Sequence, residues 1–277
     1  KTRSRGFDLS GKIQHAFSPD FWMILNGTFT YNKAIYLEIE QATNTPEWQR
    51  KKGKEISQQI GYIAEGLFRG QAEIDNSPSQ GGTGMTMPGD IRYRDLNDDG
   101  KIDVNDAAYI GYPTTPRVVY GFSGSFQYKN VEFNFAFQGS GKRAFFMDPM
   151  QIGPFVNNRS MLKAIYDDHW SEDNMKERPF WPRLSTQAIN MHNPQEGEYS
   201  TYFMRKCSFL RCTAIEVGYN LPKNVLDKLK MKNVKFYARV NNPFLITNFK
   251  VWDVELGSSG FNYPIQRTWS AGLNVSF

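Results

Sequence analysis

Cysteine and histidine are scarce: two and three residues in a chain of 277. Cys207 and Cys212 stand five apart in a strand-like stretch. They would point to opposite faces about 16 Å apart, so they cannot pair within that strand. The expectation is two isolated structural thiols. His15, His169 and His192 have no metal-ligand spacing. No run approaches the roughly 18 apolar residues of a membrane helix. This excludes a helical span but not a β-barrel, whose strands hide their apolar half in alternation, so that a mean hydropathy of −0.56 is no obstacle. A basic helix and a long Lys/Arg run are also missing, and the net charge of +5 is spread along the chain. Nucleic-acid binding is therefore not expected. No signal-peptide pattern opens the chain, which begins inside an alternating stretch as a fragment or processed piece would.

Aromatics are what the sequence does have: 15% of the chain, with 21 Phe and 14 Tyr. Many fall in strict alternation, the period of a strand with one apolar face. Phe7, Leu9, Gly11, Ile13, His15 and Phe17 alternate with polar residues up to a turn at Ser18-Pro19-Asp20. Phe21 to Tyr31 continues the pattern as the return strand of a hairpin. Val118–Tyr128 and Val131–Gly139 form a second hairpin around Lys129-Asn130. Further strands are expected at roughly Ser208–Leu221 and Asn233–Ile246, and a last one at Arg267–Phe277. In that last strand Trp269, Ala271, Leu273, Val275 and Phe277 share one face. Its length is about the 9–11 residues of a tilted membrane-crossing strand.

The connections alternate between short turns and long loops. The long ones, residues 35–116 and 142–206 with a shorter 247–266, would all lie at one end. Loops that long are generally functional. The pattern predicts an all-β antiparallel transmembrane barrel with long extracellular loops and short periplasmic turns. Seven strands with an apolar outer face make only part of a wall. The alternative is a secreted or surface calcium-binding β-sandwich used in adhesion or glycan binding.

One stretch has the spacing of a calcium loop. Asp95, Asn97, Asp99, Asp103 and Asp106 place oxygens at loop positions 1, 3, 5, 9 and 12. Gly100 holds position 6, and Lys101 offers its main-chain carbonyl at position 7. The expected role is Ca²⁺ ordering an external loop, against the plain reading of an acidic turn. Asp167-Asp168-His169-Trp170 has no nucleophile or orienting partner placed by motif and reads as a loop pairing. Gly81-Gly-Thr-Gly84 lacks the strand and the Lys-Ser/Thr of a phosphate loop. The loops carry Trp48, Phe145, Phe146, Trp170, Phe180, Trp181, Tyr199 and Tyr202. Such rings stack on sugars, anchor a partner, or pack the loops together, and Trp48, Trp170 and Trp181 are the candidates for substrate or partner contact.

Several segments resemble one family. Gly61-Tyr-Ile-Ala-Glu-Gly-Leu-Phe68 and Pro88–Asp103 resemble loop segments of SusC-like TonB-dependent outer-membrane transporters of Bacteroidetes. Ile110-Gly111, Tyr120-Gly121-Phe122, Phe203–Arg211 leading into Val217-Gly-Tyr-Asn-Leu-Pro222, and Asn241-Asn-Pro-Phe244 follow in the same order. The resemblance implies the C-terminal portion, residues 1–277, of a barrel of about 22 strands, without its plug domain. It implies nutrient import, of oligosaccharides or peptides, rather than enzymatic catalysis. The implied partners are a SusD-like surface lipoprotein, the rest of the barrel and plug, TonB through the missing plug, and the barrel-assembly machinery. Phe277 is the residue expected to be recognised by that machinery, at the periplasmic rim.

Overall fold

The computed structural model describes residues 1–80, 86–155, 158–185 and 199–277. The candidate phosphate loop at Gly81–Gly84 and His192 lie outside them. Seven long strands form one antiparallel sheet in chain order. They are β1 (Thr2–Ser18), β2 (Phe21–Tyr36), β3 (Val118–Tyr128), β4 (Val131–Gly141), β5 (Phe209–Asn220), β6 (Asn233–Thr247) and β7 (Thr268–Ser276). Strand β2 continues to Tyr36, so the first long loop starts two residues later than the alternation suggested.

The alternating apolar residues set the register. Phe7 pairs with Tyr31, Leu9 with Phe29, Gly11 with Gly27 and Ile13 with Leu25. Phe133 faces Phe126 on one side and Val217 on the other. A slip by one residue would send every one of these side chains to the polar face, so the pattern admits one register. Three irregularities interrupt it, the first between Ala16 and Ser18 at the end of β1. Thr213 is left over where Ala136 pairs with Ala214 and Phe137 with Cys212, and its hydroxyl donates to the Ala136 carbonyl at 3.1 Å. The β5–β6 pairing shifts again at this point, with Asn242 at φ 50°.

Among the described residues nothing covers the apolar face of the sheet. Leu9, Ile13, Phe122, Phe133, Val217, Phe236, Trp269 and Leu273 are all exposed on it. Among the described residues the other sheets have two or three short strands each. A β-sandwich turns its apolar face inward against a second sheet, so the sandwich alternative is overturned. A sheet with its apolar side outward is the wall of a membrane barrel.

The three connections at one end are short: Pro19-Asp20, Lys129-Asn130, and a one-helix link, Lys223–Leu229. The three at the other end are loops 37–117, 142–208 and 248–267. These loops hold the hydrophobic core. Tyr62, Leu67, Phe68, Ile91, Tyr93 and Ile102 from the first loop are buried with Phe145, Met147, Ile152, Ile165, Tyr202 and Phe203 from the second. Phe249 and Val254 join them from the third. The segments that resemble the transporter family, 61–68, 88–103 and 203–211, supply about half of this core.

Candidate functional site

The polar face of β4, β5 and β6 carries a charged stripe. Lys235 donates to Glu132 at 2.8 Å and to Glu216 at 3.4 Å. The Asn134 amide donates to the same two carboxylates, and Arg239 stands 3.9 Å from Glu216. Alternation puts all five on one side, and strand pairing brings them together. Alternation alone places each on the polar face of its strand but not in one network, because their contacts cross three strands and span from 19 to 103 residues of chain. Two acids and two bases balance, so the stripe is wet and polar without a strong field of either sign.

The loop layer settles where the candidate tryptophans lie. Trp181 is fully buried and Trp170 nearly so, packed in the loop core with Phe203 5.3 Å from Trp181. Trp170 lies under Gly89, whose φ of +88° and lack of Cβ let the ring approach. Neither ring has a face left for sugar stacking, and this corrects the expectation of Trp170 and Trp181 as contact residues. Phe145, Phe146 and Tyr202 are buried as well, while Tyr199 stays exposed. Trp48 is half-buried and staples one part of the first loop to another: its indole N–H donates to the Asn105 carbonyl at 2.7 Å. The Asp168 cluster is structural too. Asp168 accepts from the Phe180 amide at 2.9 Å and from Lys176 at 2.7 Å, and His169 Nδ1 lies 3.1 Å from the Ile165 carbonyl. Burial alone would raise the Asp168 pKa, but these hydrogen bonds and the Lys176 charge outweigh it and hold it down. Asp90 goes the other way: burial dominates and raises it, in spite of the Met87 amide and an Arg183 pair at 2.7 Å.

Beside Asp168 a cavity of about 300 Å³ is lined by Arg178, Phe180, Thr201, Tyr202 and Arg205. The Arg205 guanidinium lies over the Phe180 ring at 5.6 Å. No sequence signal announces this site, since its two arginines are far apart in the chain and belong to no motif.

The acidic loop keeps its carboxylates for its own backbone. Asp95 Oδ2 accepts from the Gly100 amide at 2.8 Å, Asn97 from Asp99, and Asp99 from Lys101. Asp103 and Asp106 form a reciprocal cap, with both Asp106 oxygens taken by the amides of Leu96 and Asp103. Asp106, at the twelfth position of the loop, is completely buried. Among the described residues no group of three His, Cys, Asp or Glu converges as a metal site. One feature does fit a cation: Asp95 Oδ1 is a buried acceptor without a hydrogen-bond partner, at the first position of the loop. Gly100 at φ +81° makes the expected sharp turn.

The two cysteines are free and buried. They do not share a strand as expected, since Cys207 precedes β5 and belongs to the loop core, whereas Cys212 pairs with Phe137 and Phe244. Phe277 follows Val275 on the apolar face and is exposed.

An apolar-outside sheet, polar on its other face, with all long loops at one end, defines a section of a membrane β-barrel wall. The comparisons agree. No family model matches the chain. It is 26% identical over 288 residues to the TonB-dependent receptor SusC of Bacteroides thetaiotaomicron, covering 98% of this chain and 26% of that protein. It is 28% identical to a TonB-dependent receptor of Formosa agariphila, covering 88% of this chain and 25% of the other. Two structures of a RagAB peptide importer or transporter superpose with TM-scores of 0.69 and 0.70 at 18% identity. Both cover the whole chain and 29% of the solved one, and they share the fold. The chain is thus similar to SusC-like TonB-dependent receptors over nearly all of its length, and it spans about a quarter of the curated relatives it matches.

Proposed function

We propose that this chain forms the C-terminal wall strands and external loops of an outer-membrane active transporter of the SusC type. The observation that carries the reading is the uncovered apolar face running across seven registered strands, with the loop layer at one end only. In this reading the loops face the outside and the short turns face the periplasm. The charged stripe of Glu132, Glu216, Lys235 and Arg239 faces the lumen. A SusD-like lipoprotein closes over the loops, and a plug carried by another part of the protein is displaced by TonB. The cargo is a nutrient such as an oligosaccharide or peptide. Membrane fractionation tests it: the protein is expected in the detergent-extracted outer-membrane fraction together with the rest of its barrel. Recovery as a folded, water-soluble monomer would sink the reading.

Calcium belongs to the same proposal. Asp95, Asn97, Asp99 and the Lys101 carbonyl, with Asp103 nearby, would hold a Ca²⁺ that orders the loop and performs no chemistry. The partnerless Asp95 oxygen supports this. Limited proteolysis of residues 95–106 is expected to be faster in EGTA. Identical cleavage would mean that the backbone hydrogen bonds alone hold the turn.

A further inference from the structure

We infer that the outward face of β1 and β2 is a binding site for a phosphate-bearing lipid of the leaflet on the loop side. This rests on the outer-membrane reading. Above the aromatic pair Phe7–Tyr31, whose rings are 5.8 Å apart, the same face continues with Arg5 directly opposite Lys33 and with Arg3 opposite Ile35. Like charges directly opposed across two strands repel and cost stability. Among the described residues neither Arg5 nor Lys33 makes an ion pair with an acid. The one acid in either strand, Asp8, pairs with Thr30 on the polar face. In the loop that follows β2, Glu38 is paired with Lys1 and Glu55 with Arg117. A fourth cation joins the rim: Lys142 places its ammonium over the Tyr31 ring at 5.7 Å. All four basic side chains are exposed. An anion bridging Arg5 and Lys33 turns the repulsion into attraction, and at the rim of an apolar wall the abundant anion is a lipid phosphate.

A second, independent feature lies below the cations. Gly11 and Gly27 are paired and leave a notch on the apolar face, and a Cβ built on either meets no atom within 4 Å. The notch opens a groove of about 610 Å³ walled by Leu9, Ile13, Leu25, Phe29 and Phe122. Six residues of strand separate Gly11 from Arg5, about 20 Å. At a tilt of about 45° this is about 14 Å of depth, close to half of the ~30 Å hydrocarbon core. A headgroup held at Arg5 and Lys33 therefore lets an acyl chain run down the wall and end in the notch.

The test uses the intact transporter, extracted in detergent and moved into phosphatidylcholine nanodiscs doped with phosphatidic acid or with diacylglycerol. Retained lipid is counted by native mass spectrometry, and heat-modifiable migration verifies the folded barrel. The wild type is expected to retain phosphatidic acid in preference to diacylglycerol. Each lost charge is expected to lower retention about fivefold, so R5Q/K33Q should fall about 25-fold. Gly27→Leu fills open space and should fold, yet it should lose both lipids. Equal retention by the folded variants, or no preference in the wild type, overturns the site. Displacement by inorganic phosphate with Gly27→Leu unaffected overturns the lipid in favour of a small anion. A water-soluble protein would overturn the barrel reading itself, whereas a membrane-embedded barrel without lipid preference overturns this site alone.

Discussion

Asp168 shows how one side chain in the loop layer holds several others. Its carboxylate joins the Phe180 amide, Lys176 and the turn that follows the short helix Lys163–Asp167. Those partners favour the ionised form, so its folded pKa lies below the ordinary aspartate value of 3.8. The sign follows by linkage: the stabilisation is complete above that value and is lost as pH falls through the lower folded pKa. Acid should therefore loosen this part of the loop layer, and Asp168→Asn should already be loose at neutral pH and insensitive to acid over that range. Hydrogen exchange of the Phe180 amide against pH checks it, and an unchanged acid profile in the variant would refute the role. That Asp168 makes a loop pairing is legible in the sequence, but its partners Phe180 and Lys176 lie 12 and 8 residues away and follow no motif. At Asp106 the spacing to Asp95 was legible in the sequence, whereas the local cap that its oxygens make with the amides of Leu96 and Asp103 was not.

At the scale of the element, alternation was enough to place the seven wall strands, but none of the short strands within the loops. The period of two is a local property, and aromatic and β-branched residues that match across neighbours leave one register. The misses sit where the period breaks. Thr213 and Asn242 carry no signal of an extra residue, and Cys207 falls outside its expected strand because the chain leaves the sheet at Ser208. The exposed face of β4 makes a test. Phe135 stands amid Phe122, Phe126, Phe133 and Phe137 at centroid distances of 5.7 to 6.3 Å. Phe135→Lys would put a charge in lipid near mid-strand, at a cost of about 2–4 kcal/mol. Asn134→Lys, on the opposite face, should cost far less. Denaturant unfolding of the intact barrel in liposomes measures both, and equal costs would contradict the assignment of faces.

The whole molecule divides into two kinds of stability. The wall is an amphipathic sheet stabilised by lipid on one side. The loop layer is a water-type core, built around Trp181, Tyr62 and Phe203. Trp181→Ala should remove about 3–5 kcal/mol from that core. The loops should then become protease-sensitive, while the barrel keeps its heat-modifiable migration. Loss of both together would mean that wall and loops fold as one unit.

The sequence by itself determined the wall: its strands, its faces and the end from which the long loops emerge. Each of these is written in a two-residue period or in the spacing between periods. Only the tertiary structure decided what the loops are. Rings that looked like contact surfaces became a core, because hydrophobic residues scattered over three loops can bury themselves only against one another. Only the structure, too, set Arg5 opposite Lys33 and aligned Gly11 with Gly27, since pairing between strands is a relation that no single stretch of chain contains.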